Sequence, residues 1–341
     1  MKTRPNNRTL EGWKLLRERY RQRGLVLALG AGVSSGCGLP SWPELLCRIG
    51  EECFGPSGRE TVQQLILGGA TLPAIAGILE SKRPKNAPFL EILGKALYRD
   101  FPFHQAIDQE TQRQELVRFV HKGNPTMRAV AAFCAQRAPS DARFEANERV
   151  HAIVNFNVDA VLRAYTRARY GAYLFRTIEG VAKLGRTGRI PTYHMHGFLK
   201  FYRSNLPDDN EPVRCVFTEG EYFDFFNRPH SVFSYTFLYL LREYNCLFIG
   251  MSMNDENIRR LLHYSTAERR QRAAERGETA LERKALRHFA ILKRGPKAAL
   301  DTLTDVSLRR LGTRVLWVKD FDEIPNRLAF VYSEPAWSGV F

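Results

Sequence analysis

The sequence predicts an α/β fold, a mostly parallel sheet with helices on both faces and a helical subdomain inserted into it. Three observations predict it. Short apolar runs, Leu25–Leu29, Val150–Asn155 and Cys246–Gly250 among them, lack the alternation of a sheet with one wet face. Each is followed at once by small or polar residues and then by a stretch with helical spacing. Between the first two runs, residues 55–149 read as helix after helix, punctuated by Pro and Gly. The expected organisation is one domain over residues 1–341, with a core from 25–54 and 150–341 and the helical insertion at 55–149.

In chain order, a helix over Leu10–Arg23 leads into the strand Leu25–Leu29. That strand runs straight into Gly30-Ala31-Gly32, then Ser34, Ser35, Gly36, Gly38 and Pro40. Glycines let backbone N–H groups approach a phosphate without a Cβ in the way. Pro43–Cys53 has helical spacing in Leu45, Leu46 and Ile49, with Ser41 at the N-cap position. Strand, glycine turn and helix together describe a nucleotide pyrophosphate site at the carboxyl edge of a parallel sheet, although the spacing departs from GxGxxG.

The insertion supplies helices at Glu60–Leu67, Leu72–Ser81, Pro88–Tyr98, Gln105–Val120 and Pro125–Gln136. The sheet resumes at Val150–Asn155, followed by Asn157, Asp159 and a helix through Arg169. Tyr173–Phe175, Pro191–His196 and the alternating Val213–Thr218 come next. A helix opens at Glu219, followed by the aromatic segment Val232–Leu241 and the strand Cys246–Gly250. The helix from Glu256 continues into a basic stretch up to Arg287. Two late strands, His288–Lys293 and Thr313–Lys319, flank a last helix.

Composition narrows the function classes. No run approaches the roughly 18 apolar residues of a membrane span. The stretch MKTRPNNRTLEGWK has no apolar signal-peptide core, so the expectation is a cytoplasmic protein with no membrane partner. Cys37, Cys47, Cys53, Cys134, Cys215 and Cys246 are scattered with no CxxC pair. They indicate neither a zinc site nor a disulfide framework and are expected to be reduced core residues. Lys and Arg exceed Asp and Glu by 15, which attracts anions such as dinucleotides, nucleic acid or an acidic protein without choosing among them.

Charge is densest in 259–294, with Arg259-Arg260 and then Glu268–Arg287. A solvated helix laced with i,i+4 pairs such as Glu268–Arg272, an oligomer contact and a nucleic-acid surface all fit that pattern. The aromatic interleaving of a single-strand binder is absent there. Phe223, Phe225, Phe226, Phe233, Tyr235, Phe237 and Tyr239 are expected as core or as the wall of an apolar interface.

Small and polar residues recur after four strands: Gly30–Ser34, Asn157–Asp159, His194–Gly197 and Gly250–Ser252. In a parallel sheet these ends converge on one edge, where ligands bind. Each has an ordinary reading as a cap, a loop histidine or a turn; four in this order describe a site. The ordered set GAGVS (Gly30–Ser34), GLPSW (Gly38–Trp42), NVD (Asn157–Asp159), HMHG (His194–Gly197) and FIGMSMNDENIR (Phe248–Arg259) resembles the sirtuin-like family. Within it, the chain resembles the bacterial anti-phage defence branch rather than the zinc-containing deacylases.

The resemblance implies an NAD-binding, Rossmann-like domain with a helical module and cleavage of the nicotinamide–ribose bond. It implies Asn157 and His196 as the catalytic pair and Asp159 near the nicotinamide. Gly30, Ala31, Gly32, Ser34, Gly250 and Ser252 fall at cofactor-contacting positions. Asn157 is chosen over Asn155 because it keeps the two-residue spacing to the acid. His194 shares a side of its strand with His196 and is expected to pack. Two departures from the deacylases favour NAD hydrolysis: no paired cysteines could build their zinc ribbon, and Ser-Trp-Pro-Glu replaces their Asp-Phe-Arg pattern.

The residue types suit that chemistry. Expelling neutral nicotinamide needs no metal, because the pyridinium is already an activated leaving group. It needs an oriented water or ribose hydroxyl, a base near neutral pH and amides that hold the sugar. The expectation is an NAD hydrolase, with NAD as substrate, that depletes NAD in abortive infection. Control is expected from self-assembly as a homo-oligomer, a HerA-type ATPase or a phage-derived trigger. Two alternatives are a silent NAD or ADP-ribose-binding module acting through a basic nucleic-acid surface, and a protein deacylase or ADP-ribosyltransferase. The presence of both Asn157 and His196 argues against the first, and the missing zinc ribbon against the second.

Overall fold

The structure, a computed structural model, describes residues 7–22, 24–103, 110–136, 149–171, 174–178, 190–201, 215–227, 232–277 and 286–333, with the side chains of residues 7–8, 224–227 and 232–233 left aside. In chain order it contains α1 (Asn7–Arg21), β1 (Leu25–Leu29), α2 (Trp42–Phe54), α3 (Gly58–Leu67), α4 (Leu72–Lys82), α5 (Phe89–Leu97), α6 (Glu110–Gly123) and α7 (Pro125–Ala135). There follow β2 (Val150–Asn155), α8 (Val161–Tyr170), β3 (Phe175–Ile178), β4 (Ile190–His194), α9 (Glu219–Asn227), α10 (Val232–Glu243) and β5 (Asn245–Ile249). The chain continues through α11 (Glu256–Glu275), β6 (His288–Lys293), α12 (Ala298–Arg310), β7 (Thr313–Val318) and α13 (Ile324–Tyr332).

The seven strands form one all-parallel sheet in the order β3-β4-β2-β1-β5-β6-β7, the Rossmann-like α/β arrangement expected from the sequence. β1 takes the centre because every residue of it is apolar and buried. Its side chains alternate between faces. Leu25, Leu27 and Leu29 join a core shared with α1–α8, while Val26 and Ala28 join a smaller one under α10 and α11. The first of these cores runs without a break from the sheet into Ile75, Leu79, Phe101 and Val130, so the inserted helices and the sheet share one interior.

From β1 the chain adds β2 beside it, passes to β3 at the edge and returns to place β4 between β2 and β3, then crosses to β5 on the other side of β1. The reversal falls between β1 and β5, and their turns meet there backbone to backbone. Gly30 N–H donates to the Ile249 carbonyl and Gly32 N–H to the Gly250 carbonyl, each at 3.0 Å. A Cβ on Gly32 would lie 2.8 Å from the Gly250 Cα, and one on Gly250 only 2.6 Å from the Val33 nitrogen. Gly250 also has φ 71°, in the left-handed region.

Two side chains from the helical segment reach the same edge. Asn124, the N-cap of α7, donates to the Val33 carbonyl at 2.8 Å while its Oδ1 accepts from Met127 N–H. The Tyr98 hydroxyl, just after α5, donates to the Leu199 carbonyl at 2.5 Å and accepts from Ala160 N–H at 2.9 Å. The turns after β1, β2 and β4 are thus all braced from the insertion.

Some expectations need correction. Residues 215–218 form no strand: Cys215, Phe217 and Thr218 are buried because the segment packs beside the His196 turn, whose carbonyl accepts from Val216 N–H at 2.9 Å. The rest of that expected strand, 213–214, lies outside the described residues. The aromatic segment is helical, forming most of α10. Phe237 is core, whereas Phe223, Tyr235 and Tyr239 are more than half exposed, which sets aside the core alternative for these three and leaves that of an apolar interface wall. The side chains of Phe225, Phe226 and Phe233 lie outside the described residues. Ser41 sits at the N-cap of α2 but its side chain makes no capping bond. The Glu268–Arg272 pair forms at 2.7 Å, while residues 278–285 of the basic stretch lie outside the described residues. All six cysteines are free, five of them buried.

The glycine contact separates two substitutions. Gly250→Ala should lower the unfolding free energy by about 2 kcal/mol, from left-handed strain plus the clash with Val33. Gly94→Ala, inside α5 with nothing within 4 Å of the added carbon, should raise it by about 0.5–1 kcal/mol. Urea unfolding of both variants checks the pair, and opposite signs are the expected result.

Candidate active site

Two cavities flank the contact between the β1 and β5 turns. The smaller, about 270 Å³, is lined by residues from all four predicted strand ends. Gly30, Ala31 and Ser34 follow β1, Asn157 and Asp159 follow β2, His196 follows β4, and Gly250, Ser252 and Asp255 follow β5. The larger, about 560 Å³, holds Gly32 and extends to Lys293, Trp317 and Phe321 at the ends of β6 and β7 and to Asp301 in the first turn of α12. Gly250, Met251 and Ser252 border both. Of the nine residues singled out from the sequence, eight therefore share one small cavity and Gly32 faces its neighbour.

The glycine turn differs from a simple phosphate cradle. Besides the Gly30 and Gly32 amides, Val33 N–H donates to the Gly30 carbonyl and Ser34 N–H to the Ala31 carbonyl. Those four amides are engaged inside the protein. The first duty of these glycines is close approach between two chain segments.

Asn157 is held by that turn. Its Nδ2 donates to the Gly30 carbonyl at 3.0 Å and approaches Ser34 Oγ at 3.5 Å. Its side-chain carbonyl is then the group that could accept from a water or a sugar hydroxyl. Asn155 serves differently. Its Oδ1 accepts from the Asn157 backbone N–H at 3.1 Å and its Nδ2 lies 3.4 Å from His194 Nδ1. It sits at the end of β2 and braces the backbone of Asn157. Asp159 is buried, accepts from Val161 N–H at 3.0 Å at the start of α8, and bonds the Ser34 hydroxyl. Burial pushes its carboxyl above the ordinary range, more than those bonds pull it down.

His196 lies 3.1 Å through Nδ1 from the Phe156 carbonyl. A carbonyl only accepts, so Nδ1 carries the proton and Nε2 is the basic nitrogen. Burial lowers the affinity of the ring for a second proton, against smaller opposing effects of Asp255 and the Phe156 carbonyl. His196 is therefore a neutral imidazole at neutral pH. Its ring centroid is 5.2 Å from that of Tyr222. Tyr222 is presented by α9, whose start is set when the Glu221 carboxylate accepts from the backbone and hydroxyl of Thr218. Trp42 completes an aromatic wall, edge-on to Phe217 and Tyr222 at 5.2 and 6.1 Å.

The turn from β5 into α11 is tightly specified. Met253 adopts φ 62° with its side chain buried, a conformation that costs a non-glycine residue on the order of 1 kcal/mol. The Arg259 guanidinium holds the Met253 carbonyl at 3.1 Å and is itself anchored on Ser307 Oγ at 2.8 Å. Asp255 Oδ1 caps α11 by accepting from Asn257 and Ile258 N–H at 2.9 and 3.1 Å. Sequence reasoning passed over Tyr222, Trp42 and Asp255 as site residues. Asp255 carried a signal, a carboxylate within six residues of a strand end, but one shared with every helix cap. Among the described residues, no cluster of three or more His, Cys, Asp or Glu side chains is placed to hold a metal ion, and no helix is long and apolar enough to cross a membrane.

The buried histidines make stability depend on pH. Burial, and secondarily Arg163, drive His194 from 6.5 down to about 3; His196 and His288 shift the same way. Below pH 6.5 the unfolded chain takes up protons that the folded state refuses. Stability is therefore full above 6.5 and falls with pH, by about 1.4 kcal/mol per unit for each such histidine. Asp159, shifted upward, opposes this slope by at most one proton and is outweighed. Urea unfolding should show lower stability near pH 5 than near pH 7.5, and His194→Gln should remove about one proton from the slope. Equal stability at the two pH values would contradict the assignment.

Residues 151–311 match the family described as SIR2-like domain, a segment just under half the chain. The match takes in Asn157, Asp159, His194, His196, Gly250 and Ser252 and begins well beyond the glycine turn after β1. No curated protein matches the chain. SIR2-like domains are in general NAD-dependent enzymes, and the match supports a sirtuin-like family for this protein.

Proposed function

We propose that this protein is an NAD glycohydrolase that cleaves the nicotinamide–ribose bond and releases nicotinamide and ADP-ribose. The observation that carries the reading is the convergence of Asn157 and a neutral His196 in one small cavity. The His196 ring, held through Nδ1, offers Nε2 to take a proton from an attacking water. Asn157, held through Nδ2, offers its side-chain carbonyl to orient that water or a ribose hydroxyl. Asp159, inclined to hold its proton, suits donation to or acceptance from a carboxamide. Expulsion of neutral nicotinamide asks for no metal.

Two cavities that share Gly250, Met251 and Ser252 suit a ligand with two bulky ends and a charged middle. The smaller would take the nicotinamide riboside end, and the larger, with Trp317 and Phe321, the adenosine end. The aromatic wall of Trp42, Phe217 and Tyr222 beside His196 supports water, rather than a peptide side chain, as the acceptor. The motif resemblance carries the reading further: depletion of NAD in the cytoplasm of an infected cell, controlled by self-assembly, a HerA-type ATPase or a phage-derived trigger.

Purified protein incubated with NAD should release nicotinamide and ADP-ribose in equal amounts. His196→Ala and Asn157→Ala should each reduce that rate by about 100-fold or more while keeping the wild-type circular dichroism spectrum. Near-wild-type turnover in either variant would remove that residue from the mechanism. Tight NAD binding with no release of nicotinamide would instead favour a binding module.

A further inference from the structure

We infer that Asp255 is the charge partner of His196, a positioning residue whose carboxylate stabilises the imidazolium formed when His196 accepts a proton. The inference rests on the hydrolase reading for its catalytic consequence. In that step a water proton passes to His196 Nε2 while the water oxygen bonds the ribose anomeric carbon. The carbon–nitrogen bond breaks, its electron pair neutralises the pyridinium, and the proton later leaves the imidazolium for solvent.

The site sets a problem that this residue solves. Burial keeps His196 neutral and so able to act as a base, but the same burial penalises the charged ring that the reaction creates. A negative charge in the same cavity offsets that penalty without restoring solvent. Among the described residues, four groups that line the cavity or touch the ring bear on His196. The Phe156 carbonyl accepts from Nδ1, and Tyr222 on α9 stays a neutral phenol because burial pushes its hydroxyl up. Asp159, after β2, lies on the same cavity wall, but burial favours its protonated form. Asp255, at the end of the β5 turn, lines the cavity with them and acts on both His196 and Tyr222.

Local geometry agrees. One Asp255 oxygen is consumed in capping α11, which leaves the second outside the cap, on a residue that lines the cavity. A helix cap alone needs no left-handed methionine two residues upstream, nor an arginine reaching back to hold that methionine's carbonyl. The strained turn fixes where the carboxylate sits.

Asp255→Asn separates the two duties, since an amide Oδ1 still accepts from Asn257 and Ile258 N–H but carries no charge. The ring of His196 should be followed by long-range proton–nitrogen NMR in the protein without NAD, its signal assigned by loss in His196→Ala. The expected result is a His196 titration moved down by about one pH unit in Asp255→Asn. With NAD, kcat should fall at least 10-fold with little change in KM, and the acid limb of the kcat/KM profile should move to lower pH. An unshifted titration with wild-type kcat would overturn the inference, and lowered stability without a titration shift would reduce Asp255 to a cap. If the wild-type protein releases no nicotinamide, the hydrolase reading fails, and the NMR titration still decides the charge pairing.

Discussion

The close contact between the turns after β1 and β5 governs the rest of the structure. Two backbone segments meet there with no side chain between them, which only Gly30, Gly32 and Gly250 permit. The contact brings the central crevice of the sheet to a narrow neck with a cavity on each side. It also spreads into the site, because the Gly30 carbonyl accepts from both Val33 N–H and Asn157 Nδ2. The position of the Asn157 amide in the cavity is thus set by the same atoms that close a turn. Asn124 and Tyr98 extend the arrangement into the helical segment, so that three of the four turns are braced from outside the sheet.

Burial does chemical work at this edge. It holds His196 neutral, favours the protonated form of Asp159 and keeps Tyr222 a phenol. Among the described residues lining the two cavities, Lys293 is the one basic side chain besides His196, and it is paired with Asp320 at 2.6 Å. The positive excess of the chain acts as a long-range attraction for anions, and selectivity falls to the short-range groups of the cavity.

Much of this was legible in the sequence. β1, β2 and β5 announced themselves as apolar runs ending in small residues, and parallel topology then forces such ends onto one edge. Asn157, chosen over Asn155 for its spacing to the acid, lines the cavity, while Asn155 braces the Asn157 backbone and lies against His194. What could not be read depends on contacts between distant segments. Nothing in GAGVS says that its glycines face Gly250. Alternation in the sequence 213–218 suggested a strand, whereas the described residues 215–218 bury Cys215 and Phe217 by packing beside one turn rather than by pairing in a sheet. Asp255 was hidden by its ordinary role, since a helix cap and a charged group in a cavity share one sequence signature.

The strand order has a consequence for how the molecule comes into being. Leu25 pairs with Val150 on one side and with Asn245 on the other, so the central strand has no near neighbour in sequence to fold against. Such long-range pairing is slow, and it waits for the later segment to leave the ribosome. Residues Gly30 to Ser34 emerge early and stay incomplete until the chain has been synthesised past Asp255. The cavity is assembled only when segments more than 200 residues apart in sequence have all left the ribosome, and a growing chain has no finished site before then.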